Sequence, residues 1–112
     1  MIAFGGNNRD QGRQVAARGV SLQGSRVMQM TATAYTHTGN PTASGVMPYV
    51  GGVAVDPNVI ALGTNLFVEG YGYAKAVDTG GLIKGSRIDV FLNTSKECYS
   101  WGRRKVKVYI LE

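Results

Sequence analysis

Glycine punctuates this chain so densely that only short elements fit between the breaks. Sixteen glycines occur among 112 residues, and each one inside a helix costs roughly 1 kcal/mol relative to alanine. A helical bundle is therefore a poor fit, whereas short strands joined by tight turns suit the spacing. The apolar pattern agrees. Met28, Met30, Ala32 and Ala34 alternate with Gln29, Thr31, Thr33 and Tyr35. That period of two predicts a strand with a small-residue inner face and a hydroxyl-rich outer one. Val53–Val55, Asn65–Glu69, Tyr73–Val77 and Ile88–Leu92 read as further strands. The chain closes with Val106, Val108 and Ile110 alternating with Lys105, Lys107 and Tyr109, a sixth strand.

Helix signals are few. Pro57 fits the first turn of a brief helix capped by Asp56. Thr94-x-x-Glu97 is a capping-box pattern, and Gly102 stands where the helix it opens would end. About six strands and one or two short helices make an all-β domain. A small closed barrel is expected, because closure removes exposed strand edges. Periodicity alone leaves the barrel topology open. The barrel is assigned to residues 26–112, and residues 1–25 are read as a flexible lead-in or linker with a short helix near Gln11–Ala17. Such a lead-in on a small barrel also allows a homodimer formed by strand exchange.

Composition narrows the function classes. The net charge is +5, of which Arg9, Arg13, Arg18 and Arg26 against Asp10 place +3 in residues 1–30. This balance favours anionic partners such as teichoic acids or nucleic acid, and equally a merely solvated basic surface. The short cluster Arg103-Arg104-Lys105 stands without any nucleic-acid motif, so nucleic-acid binding is not expected. Cys98 and His37 are each the single residue of their type, which leaves disulfide and zinc chemistry without ligands. No run of about eighteen apolar residues is present to span a membrane. Met1-Ile2-Ala3-Phe4-Gly5-Gly6 lacks the apolar core of a secretory signal, so if the protein acts outside the cell the chain is expected to be a fragment of a longer one, with another export route as the alternative.

Three carboxylates stand out. Ala54-Val55-Asp56-Pro57, Ala76-Val77-Asp78-Thr79-Gly80-Gly81 and Arg87-Ile88-Asp89-Val90-Phe91 each set an aspartate against an apolar strand pattern. A carboxylate beside Val, Ile and Phe resists burial unless something pairs with it or needs it. Each has an ordinary structural explanation as well. Asp56 can cap a helical turn, Asp78 can shape the turn ahead of Gly80-Gly81, and Asp89 can pair with Arg87 or Lys84.

The words around these aspartates resemble the three-aspartate (3D) domain. The resemblance rests on Met30-Thr31-Ala32-Thr33-Ala34-Tyr35-Thr36, Gly52-Val53-Ala54-Val55-Asp56-Pro57 and Ile60-Ala61-Leu62-Gly63-Thr64. It continues through Asp78-Thr79-Gly80-Gly81, Ile83-Lys84-Gly85, Arg87-Ile88-Asp89-Val90 and Trp101-Gly102-Arg103-Arg104, so that it spans about residues 28–111. That family includes the muralytic stationary-phase-survival proteins of Gram-positive bacteria and the catalytic barrel of membrane-bound lytic transglycosylase A. The resemblance implies a six-stranded double-psi β-barrel that acts on peptidoglycan in the cell wall or outside the cell. The implied reaction is lytic transglycosylation of the β-1,4 bond between N-acetylmuramic acid and N-acetylglucosamine, which needs no cofactor.

That chemistry explains how one carboxyl suffices. Glycosidases that use water need two, an acid and a base or nucleophile. In a transglycosylase the muramyl 6-hydroxyl attacks its own anomeric carbon, so tethering replaces the second group. One acid protonates the leaving oxygen and its conjugate base then takes the 6-hydroxyl proton. The resemblance assigns that role to the third aspartate, Asp89, with Asp78 as the partner that raises its proton affinity or orients it. Asp56 is a supporting residue, and Thr33, Tyr35, Thr79 and Lys84 are candidates for substrate contacts. Lys84 is suited to a muramyl carboxylate, or is simply a lysine in a Gly-flanked turn.

Two other functions compete. A glycan-binding barrel without turnover would keep the same fold. Asp78-Thr79-Gly80 is also the aspartic-protease turn, and a chain of this size could supply half of a dimeric site. Trp101-Gly102-Arg103-Arg104 lacks the Asp or Asn that would complete the second protease motif.

Overall fold

A computed structural model describes residues 25–111; the helix expected near Gln11–Ala17 and most of the lead-in lie outside the described residues. Six strands form one closed barrel. In chain order they are β1 (Arg26–Tyr35), β2 (Gly52–Val55), β3 (Asn65–Val68), β4 (Gly72–Asp78), β5 (Arg87–Phe91) and β6 (Arg104–Leu111), with one helix, α1 (Ser95–Trp101), before β6. Around the barrel the order is β1-β5-β2-β4-β3-β6. β1 runs parallel to β5, β2 runs parallel to β4, and the other four pairings are antiparallel. The expected six-stranded all-β barrel is thus observed, with its strands mixed in direction.

The interior follows from the period-two pattern. Met30 and Ala32 of β1 meet Val53 and Val55 of β2, Leu66 and Val68 of β3, Ala74 and Ala76 of β4, Ile88 and Val90 of β5, and Val106 and Val108 of β6. Alanines at Ala32, Ala74 and Ala76 fill a narrow lumen that larger side chains would overpack. β2 is buried along its whole length. A side chain at Gly52 would meet Val77 Cγ2 at 2.9 Å and the Tyr49 ring at 3.0 Å, so only glycine fits beneath that ring.

The caps form as their residue types dictate. Thr94 accepts from the Glu97 N–H while the Glu97 carboxylate accepts from the Thr94 N–H, completing the capping box of α1. Gly102, at φ 67°, returns its N–H to the Cys98 carbonyl. Trp101 plugs one side of the barrel: its Nε1 donates to the Ala32 carbonyl at 3.3 Å, and the Arg104 guanidinium lies 3.9 Å from the ring centroid. The segment after Asp56 differs from expectation. It makes one turn, in which Val59 and Ile60 donate to the Asp56 carbonyl, and does not continue as a helix. The chain turns away at Gly63, where φ is +92° and the N–H donates to the Ala76 carbonyl of β4.

Candidate active site

The outer face of β5 and its two neighbours carries the site. Asp89 lies in register with Thr33 of β1 on one side and Ala54 of β2 on the other. Ala54 is in turn paired with Asp78 at the end of β4. A row Asp78–Ala54–Asp89–Thr33 therefore crosses four strands, with the Cα atoms of the two aspartates about 10 Å apart at ordinary strand spacing. A β-bulge between Val53 and Ala54 brings Asp78 into that row, for Ala76 pairs with Val53 and Val77 is skipped. Ala54, which separates the two carboxylates in the row, is itself only 4% exposed.

Asp89 is half-buried, and its Oδ1 accepts a 3.0 Å hydrogen bond from the Thr33 hydroxyl. Burial raises its pKa above the ordinary carboxylate value and the charge of Asp78 adds to the rise, while the Thr33 bond and the Arg87 charge oppose it. Arg87, which with Lys84 is one of two partners the sequence offers Asp89 for a structural ion pair, turns its Nη1 to the Leu82 carbonyl at 3.0 Å. It acts on Asp89 through its charge.

Asp78 has a different task in the loops. Its Oδ1 accepts from the N–H groups of Ala43 (2.9 Å) and Thr79 (2.8 Å). Together with Ser44 N donating to the Val77 carbonyl, this fastens the β1–β2 connection to the end of β4. That connection holds the exposed side chains of Met47, Tyr49 and Val50 beside the barrel mouth.

Asp56 is only 7 % exposed, and both its oxygens are committed to backbone. Oδ2 accepts from Gly85 N at 2.8 Å and Oδ1 from Asn58 N at 2.9 Å. These bonds, the Gly85 one foremost, lower its pKa, and the Lys84 charge assists. Asp56 therefore ties the turn after β2 to the β4–β5 loop. It does not face the Asp78–Asp89 row with a free oxygen. Thr79 and Lys84 are exposed on that same β4–β5 loop, Thr79 directly beside Asp78.

Tyr35 ends β1 next to the row. Its hydroxyl is buried without a hydrogen-bond partner among the described residues, as is that of Thr36. Burial raises the Tyr35 pKa, and the charges of Asp78 and then Asp89 add to the shift. Tyr35 and Thr36 line an open cavity of about 350 Å³ with Ala34, Ser95, Cys98 and Tyr99. Burial also raises the Cys98 pKa, with Asp89 and Glu97 contributing, so the thiol is a neutral wall of this cavity. Sequence reasoning overlooked the roles of Tyr49, Thr36 and Cys98. Tyr49 belongs to a non-periodic loop, and the other two gain their position only because α1 packs across the end of β1.

Comparison with known proteins agrees with this geometry. The model of the 3D domain matches residues 51–112, more than half of the chain, and the chain belongs to that family. YabE of Bacillus subtilis (strain 168), provisionally named a cell wall shaping protein, is 48% identical over 94 residues, covering 77% of this chain and 23% of its own. The cell wall-binding protein YocH of the same organism is 44% identical over 97 residues, covering 80% of this chain and 34% of its own. The chain thus spans between a quarter and a third of these relatives. Among solved structures, MltA from Escherichia coli, described as having a unique lytic transglycosylase fold, matches with a TM-score of 0.53 and 27% identity. The match covers 64% of this chain and 27% of MltA. The barrel is that of a 3D domain protein with the lytic transglycosylase type of fold.

Proposed function

We propose that this barrel acts on peptidoglycan in the cell wall as a lytic transglycosylase, with Asp89 as its single acid and base. The observation that carries the reading is the state of Asp89: a half-buried carboxyl whose proton affinity is raised by burial and by Asp78. Such a shift favours the protonated form that a general acid requires. Thr33 anchors Oδ1, leaving Oδ2 to carry the proton to the glycosidic oxygen. As the C1–O4 bond breaks, that oxygen leaves as the N-acetylglucosamine 4-hydroxyl. The Asp89 carboxylate then takes the proton of the muramyl 6-hydroxyl, whose oxygen closes on C1 to give the 1,6-anhydro ring. No water enters the balance, and Asp89 ends protonated, ready for the next turnover.

Asp78 serves by its charge and by holding the loop that forms one lip of the groove. The Tyr35 and Thr36 side chains line the adjoining cavity, and their buried, unpartnered hydroxyls would meet polar substituents of a sugar ring only after a small side-chain shift. Thr79 and the Lys84 ammonium stand at the rim for the acidic muramyl side. Asp56 supports the rim from below.

The test is mass spectrometry of products released from purified peptidoglycan by wild type and Asp89→Asn. Products ending in 1,6-anhydromuramic acid, absent with the variant, are expected. Reducing ends would indicate hydrolysis with two carboxyls. A second reading, a glycan-binding barrel without turnover, is favoured by one observation: the chain spans about a third of YocH, which is named for cell wall binding. Binding of glycan with no product of either kind would select it.

A further inference from the structure

The wall of the barrel opposite the aspartates carries a row of its own. Tyr73 on β4 pairs with Phe67 on β3, Phe67 with Tyr109 on β6, and Tyr109 with Val27 on β1. Each of the four follows or precedes an inward-facing residue, so all project outward. In the strand order, β3 lies three places from β5 in either direction, which sets Phe67 diametrically opposite Asp89. The rings touch edge to face, with centroids 4.9 Å apart for Phe67–Tyr73 and 6.2 Å for Phe67–Tyr109. Tyr73 is 47% exposed and Val27 51%, while Phe67 and Tyr109 between them are half-buried. At strand spacing the row is roughly 15 Å long.

Its chemistry is amphipathic. Tyrosine rings give apolar faces and keep a hydroxyl for a wet partner. Lys75, two residues beyond Tyr73 on β4, and Lys107, two before Tyr109 on β6, are exposed on either side of the row, and Lys105 follows. Among the described residues Glu69 is an acid near the row, and one of its oxygens accepts from the Lys107 backbone N–H at 2.9 Å. A purely apolar partner would leave these lysines unpaired. A polyanion without rings would leave the aromatics unused.

We infer that this wall is a second carbohydrate site, which binds a peptidoglycan glycan strand with its sugar rings against Tyr73, Phe67 and Tyr109 and its acidic substituents toward Lys75 and Lys107. The inference rests on the wall-directed reading of the protein but not on turnover. Because the two sites face apart, the strand held here is not the strand being cut. Attachment to one strand raises the effective concentration of neighbouring strands at Asp89.

The experiment is co-sedimentation of the whole chain with sacculi stripped of teichoic acids, measured for wild type, Tyr73→Ala, Lys75→Gln/Lys107→Gln and Asp89→Asn. Thermal melts confirm folding of each. Tyr73→Ala is expected to weaken retention about tenfold, as loss of an exposed aromatic contact does. The lysine pair is expected to weaken it less and to flatten its salt dependence, and Asp89→Asn reports how much of the retention belongs to the catalytic site. Wild-type retention by both Tyr73→Ala and the lysine pair would overturn the inference. So would retention that disappears with the teichoic acids, which would mark a site for polyanions. A dimer that Tyr73→Ala dissociates would show instead that a second copy covers the row. Absence of anhydro products leaves this readout intact, so failure of catalysis and failure of this site are separable.

Discussion

Asp56 and Asp89 are the same residue type on adjoining segments of one small barrel, and their surroundings drive them in opposite directions. Asp56 is the more enclosed, yet two backbone N–H groups stabilise its charge and hold its pKa down. Asp89 has one hydroxyl as its hydrogen-bond partner and a second carboxylate within electrostatic range, and its pKa rises. Enclosure alone does not make a carboxyl an acid catalyst; the number of donors around it decides. A fully satisfied aspartate holds loops, and an under-satisfied one is ready to exchange a proton.

That contrast can be broken most severely at Asp89 itself. Asp89→Asn is expected to lower product release at least a hundredfold, the usual scale of general acid–base catalysis, as measured by anhydro-muropeptide yield. The same change is expected to raise the melting temperature at pH 7, because it removes a charge that burial disfavours. A variant that loses activity and melts lower would point to a structural carboxylate instead.

Asp78→Asn comes next. Removing its charge lowers the pKa of Asp89, so the alkaline limb of the pH–rate profile is expected to move to lower pH and turnover at pH 7 to fall roughly tenfold. Thr33→Val works in the opposite sense. It removes a bond that favours the Asp89 carboxylate, so the alkaline limb moves to higher pH, with a smaller loss of rate because orientation is looser. Limbs that stay in place in both variants would show that another group carries the proton.

The smallest effect on chemistry, and the largest on stability, belongs to Asp56. Asp56→Ala is expected to lower the melting temperature by roughly 5 °C or more, as loss of a cap does in a small domain, with the catalytic pH profile unmoved. Its pH dependence follows from its depressed pKa: the stability it contributes is present above the unfolded carboxylate value near about 4 and is lost as pH falls through its lower folded value. Asp89, with its raised pKa, runs the other way. Its contribution is most favourable below about 4 and declines as pH rises through the folded value. Urea midpoints across this range for wild type and the two variants separate the contributions.

Much of this was legible before the fold was known. The period of two in β1 and β6, the capping box at Thr94 and the stop at Gly102 are local patterns, and they appear where expected. The turn after Asp56 is shorter than expected because Gly63 redirects the chain toward β4. Other features have no local signature. The Tyr71 hydroxyl accepts from Gly51 N at 2.7 Å and donates to the Phe91 carbonyl at 2.8 Å, joining the turn before β2 to the end of β5. Nothing near Tyr71 in the sequence announces either partner.

The sequence by itself determined the elements of this protein: where strands run, which faces turn inward, how the helix is capped, and the string of motifs that places the chain among 3D domain proteins. Those depend on neighbours a few residues away, through backbone preferences and burial of alternating side chains. Only the tertiary structure decided that Asp78 and Asp89 flank Ala54, that Thr33 reaches Asp89 across 56 positions, and that Asp56 turns both oxygens to backbone. The same closure put three aromatic rings in one row on the far wall. These follow from strand register and barrel closure, which join distant segments and therefore leave no periodic trace in the chain.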